Sequence, residues 1–143
     1  VYWKDLDFII VDMPPGTGDT QMTFVQEIKM DGVIIISTPQ EVALVDVKRG
    51  IRMFDKFQIK ILGLVDNMSY FIGDDGKKYA IFGEGGVKKT AEEFKKDFLG
   101  QIPINVEVGK TGDQGKPIVE ALPNHEISKI YLEFANKVKS TYL

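Results

Sequence analysis

Three short apolar runs, each closing on polar residues and each divided from the next by a stretch of helical periodicity, set the strongest limit on how this chain folds. They are residues 6–11 (LDFIIV), 32–37 (GVIIIS) and 61–65 (ILGLV). Nearly continuous runs of Ile and Val suit strands buried on both faces of a parallel sheet. Helical segments are expected over residues 20–29 and over 42–57, where Val42, Val45, Val47, Ile51 and Phe54 fall near helical spacing. Strands alternating with crossovers of this length predict an α/β domain with right-handed parallel connections.

Beyond Asn67 the pattern loosens. Residues 73–78 (GDDGKK) are expected either to cap a hairpin or to form a mobile loop. Order returns in a helix over 85–96, with Val87, Ala91 and Phe94 on one face, and in a short fourth strand over 98–102, closed by Pro103. Residues 109–116 read as a glycine-rich loop. A last helix over 126–139 aligns Ile127, Ile130, Tyr131, Phe134 and Val138 in a stripe suited to packing on a sheet. There is no internal repeat and no sign of a second domain. The chain begins at Val1 and enters a strand almost at once, so a preceding segment is expected.

Composition narrows the function classes. A formal net charge of −3 leaves no basic excess to follow a nucleic acid or an anionic membrane. The lysine pairs at 77–78, 88–89 and 95–96 are interleaved with acids and read as solvated faces, as does the Glu92–Glu93 pair. No apolar run approaches the length of a membrane span, and neither nucleic acid nor membrane is expected as a partner. Cysteine is absent, which is compatible with a reducing cytoplasm, the expected location. His125, the single histidine, stands at a helix start with nothing to complete a metal site. Tyr2 and Trp3 are expected to pack ahead of the first strand.

Ligands of open α/β sheets bind at the carboxyl ends of the strands. The first run ends in Asp12, followed by Met13-Pro14-Pro15-Gly16-Thr17-Gly18-Asp19. A carboxylate there is placed to orient Mg²⁺ at a triphosphate, commonly through water, while Gly16 and Gly18 can turn backbone N–H groups toward an anion. The alternative is a plain bend, with Asp12 or Asp19 capping the helix. The second run ends Ser37-Thr38-Pro39-Gln40, where Thr38 or Gln40 suits phosphate or an attacking water, and turn chemistry explains it equally. The third ends Asp66-Asn67-Met68. The Asn67 amide offers a donor and an acceptor side by side for an adenine edge, or else makes an Asx turn.

The segments DFIIVDMPPGTGDTQMTFVQ, STPQEVALVDVKRGIRMFDKFQIKILGLVDNMSYF, IFGEGG and LGQIPINVEVGKTGDQGKPIV, in this order, resemble the Mrp family of iron–sulfur cluster carriers, P-loop ATPases of the deviant-Walker superfamily. The resemblance covers nearly the whole chain. It implies a doubly wound, mostly parallel P-loop sheet, of which this chain is the carboxy-terminal part, truncated at its N-terminus. It further implies ATP as ligand, Asp12 as the Mg²⁺-organising acid, residues 16–19 (Gly16, Thr17, Gly18, Asp19) as a γ-phosphate switch and Asn67 as the adenine contact. Ile102 and Pro103 would wall the adenine pocket. Lys48 and Arg49 match a basic pair that either faces a dimer partner or covers a helix end. A homodimer, or association with the missing N-terminal half, is the implied assembly, with iron–sulfur apo-proteins as clients.

Two departures qualify the resemblance. No GxxxxGK loop occurs, so ATP hydrolysis by this chain alone is expected to be poor or absent. Where the family has a CxxC pair to bind its cluster, this sequence has Gly73-Asp74-Asp75-Gly76. Glycine ligates nothing, and carboxylates are hard donors for a cluster built on thiolates. A non-catalytic binding or scaffold protein derived from such an ATPase is the alternative.

Overall fold

The third apolar run becomes the axis of the domain. In the computed structural model, which describes residues 2–14, 16 and 18–142, helix α1 (Asp19–Glu27) leads to strand β1 (Val33–Ser37), helix α2 (Glu41–Lys56) and strand β2 (Ile61–Ile72). There follow β3 (Lys78–Tyr79), α3 (Gly86–Glu93), β4 (Phe98–Ile104), α4 (Val106–Asp113), α5 (Ile118–Ala121) and α6 (Glu126–Tyr142). Strand β2 pairs in parallel with β1 on one side and with β4 on the other, and its far end turns back antiparallel into β3. The sheet is therefore mixed but mostly parallel, as the apolar runs require.

Helices cover both of its faces. Leu64 points into a core formed with Leu44, Val47 and Ile51 of α2 and with Val87 and Ala91 of α3. The next register position on β2, Val65, pairs with Gly100 of β4, and that glycine lies under the Phe134 ring of α6. A Cβ on Gly100 would meet the ring at 2.9 Å, so its lack of a side chain sets how closely α6 approaches the strand. A smaller cluster, Val25 with Met53 and Phe54, fastens α1 to α2 and takes Met13 against it.

Several expectations are revised. Residues 6–11 form no strand: Ile10 is 84% exposed, and no ladder joins this segment to β1. A strand buried on two faces needs hydrogen-bonding neighbours along its edges, and among the described residues none is supplied. Tyr2 and Trp3 are exposed rather than packed. On α2 the buried stripe starts at Leu44, leaving Val42 and Val45 exposed.

Strand β2 runs seven residues past the expected end at Val65, to Ile72, and β4 continues through Pro103 to Ile104. Proline has no N–H to donate, and it is tolerated because β4 pairs with β2 alone among the described strands. Residues 109–116 are largely helical, within α4. Asn105 starts that helix by accepting a hydrogen bond from the Glu107 N–H at 2.9 Å, which offsets the glycines inside it. Residues 73–77 form the turn of the β2–β3 hairpin, and Lys78 opens β3.

Candidate functional site

Three polar or strand-closing positions meet at one end of the sheet. Ser37 of β1 stands opposite Asp66 of β2, and Asp66 opposite Gln101 of β4; one residue further on, Asn67 stands opposite Ile102. Thr38 follows Ser37, so Thr38, Asn67 and Ile102 stand side by side just past the end of β1, with Asn67 midway along β2 and Ile102 two residues before the end of β4. The Asn67–Ile102 row faces the side opposite to the Ser37–Asp66–Gln101 row, because side chains alternate along a strand. Ile102 and Pro103 are buried, Thr38 and Asn67 half-buried. The Ser69 hydroxyl donates to the Ile102 carbonyl at 3.1 Å and ties β2 to β4 beside this corner. Met68, directly after Asn67, has a positive φ of 54°, and the β2–β4 register shifts between Asn67 and Phe71. A left-handed methionine is an uncommon conformation, and here it bends the strand at the residue whose amide is the adenine candidate.

The loop from β1 into α2 is held by a close backbone approach. A Cβ on Gly86 would lie 2.8 Å from the Pro39 carbonyl oxygen and 2.7 Å from Leu44 Cδ1, so the start of α3 sits directly on the 38–40 loop. Thr38 Oγ1 lies 3.4 Å from Gln40 Oε1 within that loop.

Residues 12–14 precede α1, and Met13 packs against the Val25–Met53–Phe54 cluster. Asp12 is exposed and, among the described residues, makes no hydrogen bond or ion pair. Gly16 has φ +90° and open space where a side chain would stand. Gly18 is the N-cap of α1, and Asp19 occupies the first turn, where a negative charge suits the helix dipole. Neither Asp12 nor Asp19 caps the helix, while Thr17 lies outside the described residues. The Gln21 amide donates to the Pro14 carbonyl and holds the turn against α1. No ladder or hydrogen bond among the described residues connects Asp12–Asp19 with the Thr38–Asn67–Ile102 corner. An exposed carboxylate oxygen is the donor type that Mg²⁺ takes, so Asp12 fits that ion chemically.

Other candidates make local contacts. His125 Nδ1 accepts from the Ile127 N–H at 3.2 Å, a helix-start role. Lys48 pairs with Glu93 at 2.7 Å and Lys96 with Asp55 at 2.6 Å, joining α2 to the α3 region; Glu93 is thus engaged and not merely solvated. Arg49 pairs with Asp46 along its own helix.

Asp66 is the buried acid of this corner. Its side chain is 0% exposed, one carboxylate oxygen has no hydrogen-bond partner, and the other accepts only a long bond from the Gln101 amide at 3.4 Å. Burial pushes its carboxyl above the usual value, and the Gln101 contact only partly opposes this. Ser37 does not relieve it, because its hydroxyl donates to the Thr38 carbonyl. The one signal in the sequence is an acid that directly closes the apolar run 61–65.

Comparison with known proteins agrees with this architecture. The ParA-group model described as NUBPL iron-transfer P-loop NTPase matches residues 1–139. An iron-sulfur cluster carrier protein of Salmonella typhimurium is 44% identical over 137 residues, 95% of this chain and 37% of that protein. In Arabidopsis thaliana, an iron-sulfur protein required for NADH dehydrogenase, mitochondrial, is 45% identical over 139 residues, 96% of this chain and 44% of that protein. The chain thus spans less than half the length of these curated relatives.

Among solved structures, a nucleotide-binding protein from Archaeoglobus fulgidus in complex with ADP superposes with a TM-score of 0.70 at 38% identity, covering 78% of this chain and 46% of that one. The cell division ATPase MinD of Pyrococcus furiosus gives a TM-score of 0.72 at 19% identity over 94% of this chain and 52% of its own, a likeness of fold. With a family model over nearly its whole length and relatives above 40% identical across it, the chain belongs to the NUBPL-type iron-transfer P-loop NTPases.

Proposed function

We propose that this chain is the adenine-binding and γ-phosphate-responding portion of an ATP-dependent iron–sulfur cluster carrier of the Mrp type. The observation that carries the reading is the meeting of Thr38, Asn67 and Ile102–Pro103 side by side just past the end of β1, where Gly86 lets the start of α3 sit on the 38–40 loop. Asn67 offers its paired donor and acceptor to adenine, with Ile102 and Pro103 as the apolar wall. Thr38 hydrogen-bonds phosphate or the attacking water. Asp12 orients Mg²⁺ through water, and residues 16–19 respond to the γ-phosphate with their backbone N–H groups. Mg²⁺ supplies charge neutralisation at the phosphates when bound.

The phosphate cradle itself comes from a segment outside residues 1–143, since no GxxxxGK motif occurs within them. Residues 6–11 and the unpaired side of β1, with Ile34 and Ile36 exposed, are the surface such a segment would complete. A homodimer is the working assembly, iron–sulfur apo-proteins are its clients and the cytoplasm is its place. No helix among the described residues is long and apolar enough to cross a membrane. A second reading, a non-catalytic scaffold, is favoured by Gly73 and Gly76, which stand where the family resemblance places cluster-binding cysteines.

Titration calorimetry with MgATP decides between them, on this chain and on a version extended upstream to include a phosphate loop. The ATPase reading expects binding by the extended version and little or none by the chain alone. Asn67→Ala in the extended version should weaken binding about tenfold, the loss of one paired hydrogen-bond contact worth ~1.4 kcal/mol. Absence of binding by both leaves the scaffold.

A further inference from the structure

We infer that no iron–sulfur cluster is ligated by this chain's own residues, and that its β2–β3 hairpin is built as a self-bonded turn that excludes such a role. The inference rests on the carrier reading above only in naming the cluster as cargo.

Clusters are held by thiolates, with histidine as an occasional replacement. The chain has no cysteine, and the Nδ1 of its one histidine is engaged at the start of α6. Among the described residues, no three His, Cys, Asp or Glu side chains converge on a metal-sized site.

The hairpin tip, where the family resemblance places a thiolate pair, is closed on itself. The Gly73 N–H donates to the Lys77 carbonyl and the Gly76 N–H to the Gly73 carbonyl, each at 2.9 Å. One oxygen of Asp75 accepts from the Lys77 N–H at 3.0 Å, and the other from the Tyr79 hydroxyl at 2.8 Å. Those contacts, the Lys77 amide first and the Tyr79 hydroxyl second, hold the Asp75 carboxyl below the usual range. Both of its oxygens are therefore committed to the turn, and Asp74 by itself offers no chelate.

The glycines are not simply cysteines with the sulfur removed. A Cβ at position 73 would stand 2.8 Å from Tyr79 Cε2 and 2.9 Å from Asp75 Oδ1. Gly76 has φ +73°, a conformation in which any other side chain is strained. A thiol at position 73 would have to displace the Asp75–Tyr79 contact before meeting a metal, and one at position 76, though in open space, would stand on a strained backbone. Any assembly that carries a cluster with this chain must then draw its thiolates from another segment or subunit.

The test is anaerobic reconstitution of the chain with ferrous iron and sulfide, followed by desalting, iron and sulfide analysis and visible absorption. The Salmonella typhimurium carrier is treated in parallel. The expected result is less than about one tenth of a cluster per chain and no sulfide-to-iron band. The double variant Gly73→Cys/Gly76→Cys should likewise retain less than about one tenth. Stoichiometric iron and sulfide on the native chain would overturn the inference; a stable cluster on the double variant would overturn its steric basis. MgATP binding is read separately, so a failed nucleotide reading leaves this outcome unchanged.

Discussion

Asp66 shows how one side chain can sit against the trend of its surroundings. It shares a face of β2 with Leu64, which is buried in the α2–α3 core, yet it carries a carboxylate oxygen with no partner. Because burial raises its folded value above the ordinary 3.8, the proton binds more tightly in the folded chain than in the unfolded one. Its contribution to stability is therefore fully present below the unfolded value and is lost as pH rises through the folded one. Asp66→Asn mimics the protonated form and should be more stable than the parent at about pH 7, by ~1–3 kcal/mol, the cost of an unsatisfied buried group, with the difference vanishing near about pH 4. Thermal unfolding across that range measures it. An equal effect at every pH would show that charge is not the cause. Asp66 was readable in the sequence only as a strand-closing residue. Its burial depends on the strands to either side, β1 and β4, which approach it from distant parts of the chain.

At the scale of elements, periodicity served where packing had one apolar partner and failed where the backbone decided. Val87 and Ala91 are buried as expected because α3 presents a single face to β2 and α2. On α2 the spacing of Val42 and Val45 suited a buried stripe equally well, but the sheet takes the Leu44, Val47 and Ile51 face. Residues 109–116 read as a loop because glycine weakens helices, and the Asn105 cap reverses that balance over Val106–Asp113. Of the candidate site, the end of β1 at Ser37 was legible, whereas the continuation of β2 past Asn67 and the seating of α3 on the 38–40 loop were not, since both depend on contacts between residues far apart in sequence. That contact gives its own prediction. Gly86→Ala places a methyl group against the Pro39 carbonyl and Leu44, and should destabilise the chain by ~1–3 kcal/mol, the usual cost of overpacking. Chemical denaturation reads the loss; an unchanged midpoint would mean that the loop yields freely.

For the molecule as a whole, the distribution of apolar surface is the governing fact. Leu6, Phe8, Ile9, Ile10 and Val11 are all substantially exposed, as are Ile34 and Ile36 on β1. Residues 6–11 have the composition of a buried strand, and β1 has one side without a strand partner among the described residues. An unpaired edge beside exposed Ile and Val side chains is a surface that seeks another chain. The chain alone should consequently associate in a concentration-dependent way, with an unfolding midpoint that rises with protein concentration, because association draws on the folded form. Sedimentation velocity over a hundredfold range, about 1 to 100 μM, follows the mass directly. Replacing Ile10 and Val11 by lysine should shift the population toward monomer while leaving the α2–α3 core intact, since neither residue contributes to it. A sharp unfolding transition of a monomer at the lowest concentration would show instead that residues 6–11 need no partner, and that the core on β2 is sufficient to hold the fold.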